Sequence, residues 1–352
     1  MEIQKVEVIQ IETPRFYGHV SGHVIVKVHV DDGPVGLGEA SDYRVEDVAA
    51  TRARYEELLK GRDATRIVEI NELLRTSVTP HLASAIDLAL YDLNGKAQGV
   101  PAYQLMGGKV RDRMYVCYPI FGWQVREDFE RAMGYLERLH DLGHHLFRFY
   151  VSGDSALDDR FLTQVFGRFE DQLKLKSIDF SWRFTDWEVA LRYGEDLRHH
   201  EPYHFEAPSK DMRTSAEFAR RADLPTTWHI HDLRTGLQAI EMGACNAFNL
   251  ACVSGGPTHI RRIFALAESA GVKCLIGTDQ ESTLGVSAQV SVGISVPNLE
   301  LPCDPMGPVL YTTSPARERV RVEGSYLYPF EAPGLGVELD EDKLRELTVA
   351  AA

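Results

Sequence analysis

From Met114 onward the sequence alternates short apolar runs with stretches of helical periodicity, and this rhythm limits the possible folds more than any other feature. The apolar runs predict eight strands, near residues 114–120, 146–151, 174–179, 203–206, 225–231, 247–251, 273–277 and 298–301. Strands joined by short helical crossovers are parallel, and eight of them close into a barrel. The sequence therefore predicts an α/β chain built on a modified (β/α)8 TIM-type barrel.

The two ends of the chain have a different pattern. Residues 1–41 alternate polar and apolar positions, as in an antiparallel sheet, and helical periodicity then covers 45–60, 66–76 and 80–98. After Pro315 the alternating strand pattern returns and a polar helix follows, from Asp340 to Leu347. We expect residues 1–112 and the tail 316–352 to form one α+β capping domain, with the barrel domain at 113–315.

Composition limits the partners and the compartment. The net charge of −14 argues against nucleic acid or an anionic membrane as the main partner. No apolar stretch approaches the roughly 20 residues of a membrane span, and the N-terminus begins directly with a strand pattern instead of a signal peptide. Five cysteines without a CxxC pair fit reduced thiols better than a disulfide frame or a zinc site. We therefore expect a cytoplasmic protein.

Two carboxylates, Asp179 and Glu206, each end an apolar run, and they lie 27 residues apart. That spacing is one strand-helix-strand repeat, so both acids should lie at the C-terminal ends of neighbouring strands, where barrels of this type carry their chemistry. Two hard oxygen ligands at this position suit Mg²⁺. The alternative for each acid is a structural one, as a cap at the N-terminus of the following helix.

Six short motifs occur in a fixed order along the chain. They are Gly33–Glu39, Ala83–Lys96, Gln104–Gly108, Gly243–Leu250 with Gly255–Gly256, Gln280–Ser282 and Pro333–Val337. Together they resemble the enolase superfamily, in its mandelate racemase and muconate lactonizing branches. The resemblance covers nearly the whole chain and implies a capped barrel.

The resemblance also implies a chemistry. Enzymes of this type bind Mg²⁺ with three acids from successive strands, and the metal stabilises an enolate after a side-chain base removes the α-proton of a carboxylate substrate. Asp179 and Glu206 match the first two ligands. By the same resemblance we expect a small-molecule carboxylate substrate and a homo-oligomer.

The third metal ligand departs from the family pattern. Aligned from Pro225, the family's acid falls on His229 or Ile230, whereas Asp232 lies 26 residues after Glu206, nearly the same step as the first pair. Using Asp232 requires a longer fifth strand and a short helix at 234–242. A histidine ligand would shift the preference from Mg²⁺ toward Zn²⁺, Mn²⁺ or Fe²⁺. A barrel without metal, in which these groups only form hydrogen bonds, is the alternative.

The second strand lacks the family's Lys-x-Lys pair and reads Phe-Arg-Phe-Tyr at 147–150. Arg148 and Tyr150 alternate onto one face, as the two lysines would. Arginine cannot act as a base, but Tyr150 can if the nearby guanidinium favours its phenolate. Some acid-sugar dehydratases in this superfamily use a Tyr/Arg dyad. The alternative is that Arg148 only clamps a substrate carboxylate.

The remaining candidates lie on other loops. On the seventh strand they are Asp279 and Glu281, the latter matching a family residue that usually assists enolate stabilisation. His231 shares a strand face with His229 and is a further catalytic candidate. For substrate binding the candidates are Arg15, Tyr17, His19 and Ser181. The alternative for the first three is a loop that only packs on the barrel rim.

The sequence thus predicts a lyase or isomerase of the dehydratase, cycloisomerase or epimerase type, with Tyr150, Arg148, Glu281, Asp279 and His231 as catalytic candidates. The sixth strand lacks the Lys or Asp of a second base, and this counts against a two-base racemase. Two alternatives remain. One is a metal-dependent hydrolase using Glu206, His229, His231 and Asp232. The other is a non-catalytic barrel that binds a small molecule.

Overall fold

The computed structural model describes all 352 residues and begins with an antiparallel sheet. Its strands are β1 (Ile3–Pro14), β2 (Val20–Val30) and β3 (Gly36–Ala40), and the last strand of the chain, β14 (Thr348–Ala351), pairs with the free edge of β1. The C-terminal tail therefore packs back on the N-terminal sheet.

Four helices complete the N-terminal region: α1 (Val48–Leu59), α2 (Ile67–Arg75), α3 (Pro80–Gln98) and α4 (Ala102–Leu105). Thr79 caps α3, and the helix ends at Gly99 in the left-handed conformation, with φ +70°. The strand β3 lies so close to α3 that a Cβ atom on Gly38 would be 1.9 Å from the carbonyl oxygen of Ala85. This close approach requires glycine.

The barrel region alternates strands with helices as predicted. Its elements, including the short additions after the barrel, are β4 (Met114–Tyr115), β5 (Tyr118–Ile120), α5 (Gly122–Glu127), α6 (Phe129–Asp141), β6 (Leu146–Tyr150), α7 (Ser155–Phe169), β7 (Lys174–Asp179), α8 (Trp187–Leu197), β8 (His204–Glu206), α9 (Met212–Arg221), β9 (Thr226–His229), α10 (Leu233–Met242), β10 (Ala247–Leu250), α11 (Gly256–Ser269), β11 (Lys273–Ile276), α12 (Thr283–Ser295), α13 (Gly307–Leu310), β12 (Val322–Glu323), β13 (Tyr326–Leu327) and α14 (Glu341–Leu347).

Seven parallel strands, β5 to β11, form one sheet in sequence order. The predicted eighth strand is not a regular strand, because residues 299–303 make only two parallel bridges, from Leu299 to Cys274 and from Cys303 to Val116. These bridges connect β11 with the segment just before β5 and so close the barrel. The predicted strand 114–120 is divided, since β4 pairs with β13 in a separate sheet.

Strand alternation sorts the side chains of β6. Phe147 and Phe149 are fully buried and pack in the core with Phe161, on the side of the surrounding helices. Arg148 and Tyr150 lie on the other face, toward the barrel interior, as the sequence pattern predicts. No helix combines the length and apolar character of a membrane span. The five cysteines are all free thiols.

Candidate active site

Asp179 and Glu206 end neighbouring strands and lie side by side. They are register partners in the parallel pairing of β7 with β8, and their exposed fractions are 3% and 0%. The two acids therefore lie at the C-terminal edge of the barrel, where the spacing of the sequence places them. Burial raises the pKa of Asp179 to about 7; the charge of Glu206 adds to this rise, and Arg148 opposes it.

Arg148 lies between three carboxylates. Its Nη1 atom is 3.2 Å from Oε1 of Glu206, 3.3 Å from Oδ2 of Asp304 and 3.8 Å from Oδ2 of Asp179. Asp304 follows the segment that closes the barrel and is itself buried. Sequence analysis missed it because the eighth strand was predicted to end at residue 301. A search for acids just beyond predicted strands would have found it.

A second buried cation, Lys176, reaches the same acids. Its Nζ atom is 2.6 Å from Oδ1 of Asp304 and 3.2 Å from Oε2 of Glu206. The register of β6 with β7 shifts here, because Phe147 pairs with Leu175 while Arg148 pairs with Ser177. Lys176 is the extra residue of this bulge. Strict alternation would direct Lys176 toward the helices, so sequence analysis did not identify it.

Glu206 accepts hydrogen bonds at both oxygens. Asn249 Nδ2 donates to Oε1 at 2.8 Å, as does Arg148; Ser177 Oγ donates to Oε2 at 3.0 Å, as does Lys176. Burial alone would raise the pKa of Glu206, but Lys176 and Arg148 outweigh it and hold this pKa well below its ordinary value. Glu206 is therefore ionised at neutral pH.

Tyr150 packs directly on Arg148. The guanidinium carbon is 4.5 Å from the centre of the phenol ring, and Phe121 stacks on the same ring at 4.8 Å. Burial raises the pKa of Tyr150 well above its ordinary value; Arg148 lowers it, and the carboxylates of Asp179 and Glu206 raise it again. The expected contact is present and Arg148 lowers the pKa of Tyr150 as predicted, but burial and the neighbouring carboxylates outweigh this effect. This environment favours the neutral phenol, and the role of Tyr150 as a base stays a prediction.

The three candidates for the third ligand are separated. His229 Nε2 lies 3.5 Å from Oε1 of Glu206, and its half-buried ring packs against Trp182. His231 Nδ1 instead pairs with Ser254 Oγ at 2.9 Å. Asp232 caps α10 and accepts hydrogen bonds from the backbone and hydroxyl of Thr235.

Strand β9 ends at His229, so the longer strand that Asp232 would need as a metal ligand does not form. Both carboxylate oxygens of Asp232 instead accept hydrogen bonds from Thr235 in the cap of α10. The four residues of the hydrolase alternative (Glu206, His229, His231 and Asp232) do not form a cluster of metal ligands. The one group with three ligand atoms within 4.8 Å of one another is Asp159, His199 and His200, outside the barrel interior.

These residues do not fit the predicted Mg²⁺ ion. Mg²⁺ needs near-octahedral oxygen ligands. A carboxylate has about four lone-pair sites, and the four donors to Glu206 use all of them. The Arg148 guanidinium already contacts both Asp179, at 3.8 Å, and Glu206, at 3.2 Å. The two positions on which the family's third acid falls carry the imidazole of His229 and the apolar side chain of Ile230.

The seventh-strand candidates lie beyond β11. Glu281 is buried and accepts hydrogen bonds from Thr278 Oγ1 at 2.5 Å, from the backbone of Asp279 and from Gln289 Nε2 at 2.6 Å. Burial raises the pKa of Glu281 to about 8, although the hydrogen bonds from Thr278 and from the Asp279 backbone lower it. The Asp279 side chain faces outward, with Oδ2 3.4 Å from His81 Nε2. Glu281 is thus protonated at neutral pH.

The cap loop lies on the rim of the barrel. Arg15 Nη1 donates to the hydroxyl of Tyr17, which in turn donates to Oε1 of Gln280 at 3.2 Å. The ring of His19 packs on Trp123 at 5.0 Å. Ser181 is exposed, but its backbone N–H donates to Oδ1 of Asp179 at 2.8 Å. The loop is therefore fixed next to the seventh-strand residues, while Ser181 orients Asp179 through its backbone.

A cavity of about 700 Å³ is at the other end of the barrel. It is lined by Lys174, Leu175, His199, His200 and Tyr203, which precede or begin β7 and β8. A smaller cavity of about 60 Å³ lies between the cap loop and α6, beside Tyr17 and Tyr135. Neither of these cavities is lined by Asp179 or Glu206, so the buried charge cluster identifies the site better than cavity volume does.

Comparison with known proteins finds similarity along most of the chain. Residues 11–107 match the family described as mandelate racemase / muconate lactonizing enzyme, N-terminal domain, and residues 134–343 match the enolase C-terminal domain-like family. The chain is 30% identical to a D-galactonate dehydratase family member of Streptomyces bingchenggensis, covering 90% of this chain and 88% of that one. It is 25% identical to a chloromuconate cycloisomerase of Pseudomonas putida, covering 93% and 92%.

A solved structure confirms the fold. The crystal structure of N-succinyl Arg/Lys racemase from Bacillus cereus superposes with a TM-score of 0.89, at 24% identity, covering 100% of this chain and 99% of that one. The predicted capped α/β barrel and the predicted resemblance are both confirmed.

Proposed function

The chain belongs to the mandelate racemase / muconate lactonizing enzyme family of the enolase superfamily, and we propose that it removes the α-proton of a small carboxylate substrate. Its relatives include a cycloisomerase, a dehydratase and a racemase, which makes a lyase or isomerase activity the family-level conclusion. The observation that carries the proposal is the cluster of Asp179, Glu206, Arg148 and Lys176 at the C-terminal edge, with Tyr150 and His229 above it.

Removing an α-proton leaves negative charge on the carboxylate oxygens, so the site must supply positive charge. Arg148 and Lys176 are the two cations at the base of this site. His229 is half-buried, points to Glu206 and has an imidazole, the side chain that most often acts as a general base. We assign the base to His229 in place of Tyr150.

Tyr150 then acts as the acid. As a neutral phenol packed on Arg148, it holds a proton that it can deliver to the oxygen leaving the β-carbon in an elimination. His229 takes the α-proton, the C–H electron pair forms the double bond, and the leaving oxygen departs with the proton of Tyr150. One base and one acid suffice for this reaction, in keeping with the absent bases on β10.

Members of this superfamily bind a divalent metal ion, typically Mg²⁺. In this chain Asp179, Glu206 and His229 are the residues that would have to hold it. Because they do not fit the ion in this arrangement, the reaction described here uses only side chains of this chain, and bound Mg²⁺ stays a prediction. The cytoplasmic location and the homo-oligomer also stay predictions.

The test is a screen of hydroxy and amino acids with purified enzyme, followed by variants. We expect His229→Asn and Tyr150→Phe each to lower kcat by roughly 10²- to 10⁴-fold, the usual contribution of one acid or base. The matched controls are His199→Asn and Tyr203→Phe at the opposite end of the barrel, which should retain full activity. Full activity in His229→Asn would remove His229 as the base, and no turnover of any acid would favour the non-catalytic barrel.

A further inference from the structure

We propose that Arg148 and Lys176 replace the divalent metal ion of the family, so that this enzyme carries the positive charge of its site on two side chains. The inference deepens the proposed function and rests on it for the substrate class, a small carboxylate. It concerns the same site but makes a separate claim, which can be tested without any substrate.

The position of Arg148 supports this replacement. Its Nη1 atom lies 3.8 Å from Oδ2 of Asp179 and 3.2 Å from Oε1 of Glu206, so a cation already contacts both acids that would have to share a metal. The same nitrogen is 3.3 Å from Asp304. A guanidinium is always charged, so this cation does not depend on pH in the working range.

Glu206 has no free lone pair with which to bind a metal ion. Each of its oxygens already accepts two hydrogen bonds, one from a cation and one from a neutral group. The neutral donors are Asn249 and Ser177. A metal ion could bind Glu206 only by displacing these donors, and displacing Lys176 would leave its ammonium buried beside Asp304 without Glu206 as a partner.

The charge of the buried cluster also supports the replacement of a metal ion by two side chains. Arg148 and Lys176 are 2% and 0% exposed, and together they carry two positive charges, as a divalent ion does. Three buried carboxylates surround them: Asp179, Glu206 and Asp304. Buried charges of one sign are costly unless they are paired, and these two cations provide the pairing that a metal ion would otherwise give. A further divalent ion would exceed the charge that the cluster can neutralise.

The side chains near the expected third ligand also fit a site without a metal ion. The two positions on which the family's acid falls carry an imidazole, His229, and an apolar side chain, Ile230, and Asp232 caps α10. The Nε of Arg148 is buried and has no hydrogen-bond partner. It is an unused donor suited to an anionic oxygen, so the ligand class that fits is a carboxylate or an enolate oxygen.

The test is a titration of the substrate-free protein with Mn²⁺, followed by electron paramagnetic resonance. It uses wild type, Asp179→Asn, Glu206→Gln and His199→Asn, the last removing a ligand of the surface group Asp159, His199 and His200. We expect no Mn²⁺ at the barrel site: bound Mn²⁺ is either absent or lost only in His199→Asn. One Mn²⁺ per chain that remains in His199→Asn and is lost in Asp179→Asn would overturn the proposal.

A second measurement, of the unfolding midpoint, needs no substitution in the buried charge cluster. A ligand that binds the folded state raises the unfolding midpoint. The midpoint of His199→Asn protein should be the same in EDTA and in millimolar Mg²⁺; a midpoint raised by Mg²⁺ would contradict the inference. Failure of the proposed function would look different, because it would be an absence of turnover with every acid and would leave both metal results unchanged.

Discussion

The guanidinium of Arg148 donates a hydrogen bond to Glu206 across 58 residues of sequence, with Nη1 3.2 Å from Oε1. This contact joins the second and fourth strands of the barrel inside its buried centre. It places a permanent cation beside the acids that the sequence predicts as metal ligands. The chemistry of the site therefore depends on how strongly the buried cations and acids are coupled.

That coupling can be measured with Lys176→Met. The change leaves Glu206 and Asp304 without their shared ammonium in a buried site, so we expect the free energy of unfolding to fall by about 3 to 5 kcal/mol. Urea denaturation measures the loss. The control is Lys174→Met, on the same strand but exposed, which should change stability by less than about 0.5 kcal/mol. Equal effects of the two variants would show that Lys176 is not paired with these acids.

Glu281 should make stability depend on pH. Its pKa rises from 4.5 to about 8 in the folded protein because the carboxyl is buried, so the folded state holds a proton that the unfolded state has lost. Its contribution is fully present below about pH 4.5 and declines as pH rises toward 8, by up to about 1.4 kcal/mol per pH unit.

The matching variant is Glu281→Gln, whose amide is uncharged like the protonated acid and whose oxygen can still accept a hydrogen bond from Gln289. We expect wild type to lose stability relative to this variant between pH 5 and 8, measured by urea unfolding at each pH. The exposed Glu300→Gln serves as control and should follow wild type. Parallel curves for wild type and Glu281→Gln would mean that Glu281 is ionised in the folded state.

Asp232 should behave as a helix cap. Asp232→Ala removes the acceptor for the Thr235 backbone N–H and should cost about 1 kcal/mol of stability. Asp186→Ala, at the start of α8, removes an equivalent cap and should cost a similar amount. Substrate turnover should be retained in both variants. Loss of turnover in Asp232→Ala alone would return Asp232 to the active site.

Much of this arrangement follows from local sequence. The strand-helix alternation predicts the barrel, and the one-repeat spacing of Asp179 and Glu206 predicts their pairing in register. The face shared by Arg148 and Tyr150 follows from the two-residue period of a strand. These features depend on residues close in sequence, and the comparison structure confirms the fold that they imply.

The rest depends on three-dimensional details that a local pattern does not contain. A β-bulge turns Lys176 into the barrel, against the alternation of its strand. Aspartate is equally suited to capping a helix and to binding a metal, so spacing could not decide the role of Asp232. The protonation of Tyr150 depends on carboxylates from three other strand ends, including Asp304, which is far away in sequence.

The measurement that tests the central claim most directly is proton exchange at the α-carbon, followed by NMR in D₂O containing EDTA. Exchange reports α-proton removal even when no product forms, and EDTA removes any divalent ion. We predict that an acid from the screen exchanges its α-proton with wild type and with His199→Asn, but at least about 100-fold more slowly with His229→Asn. If no acid exchanges its α-proton, or if exchange is unchanged in His229→Asn, the account of this site is contradicted.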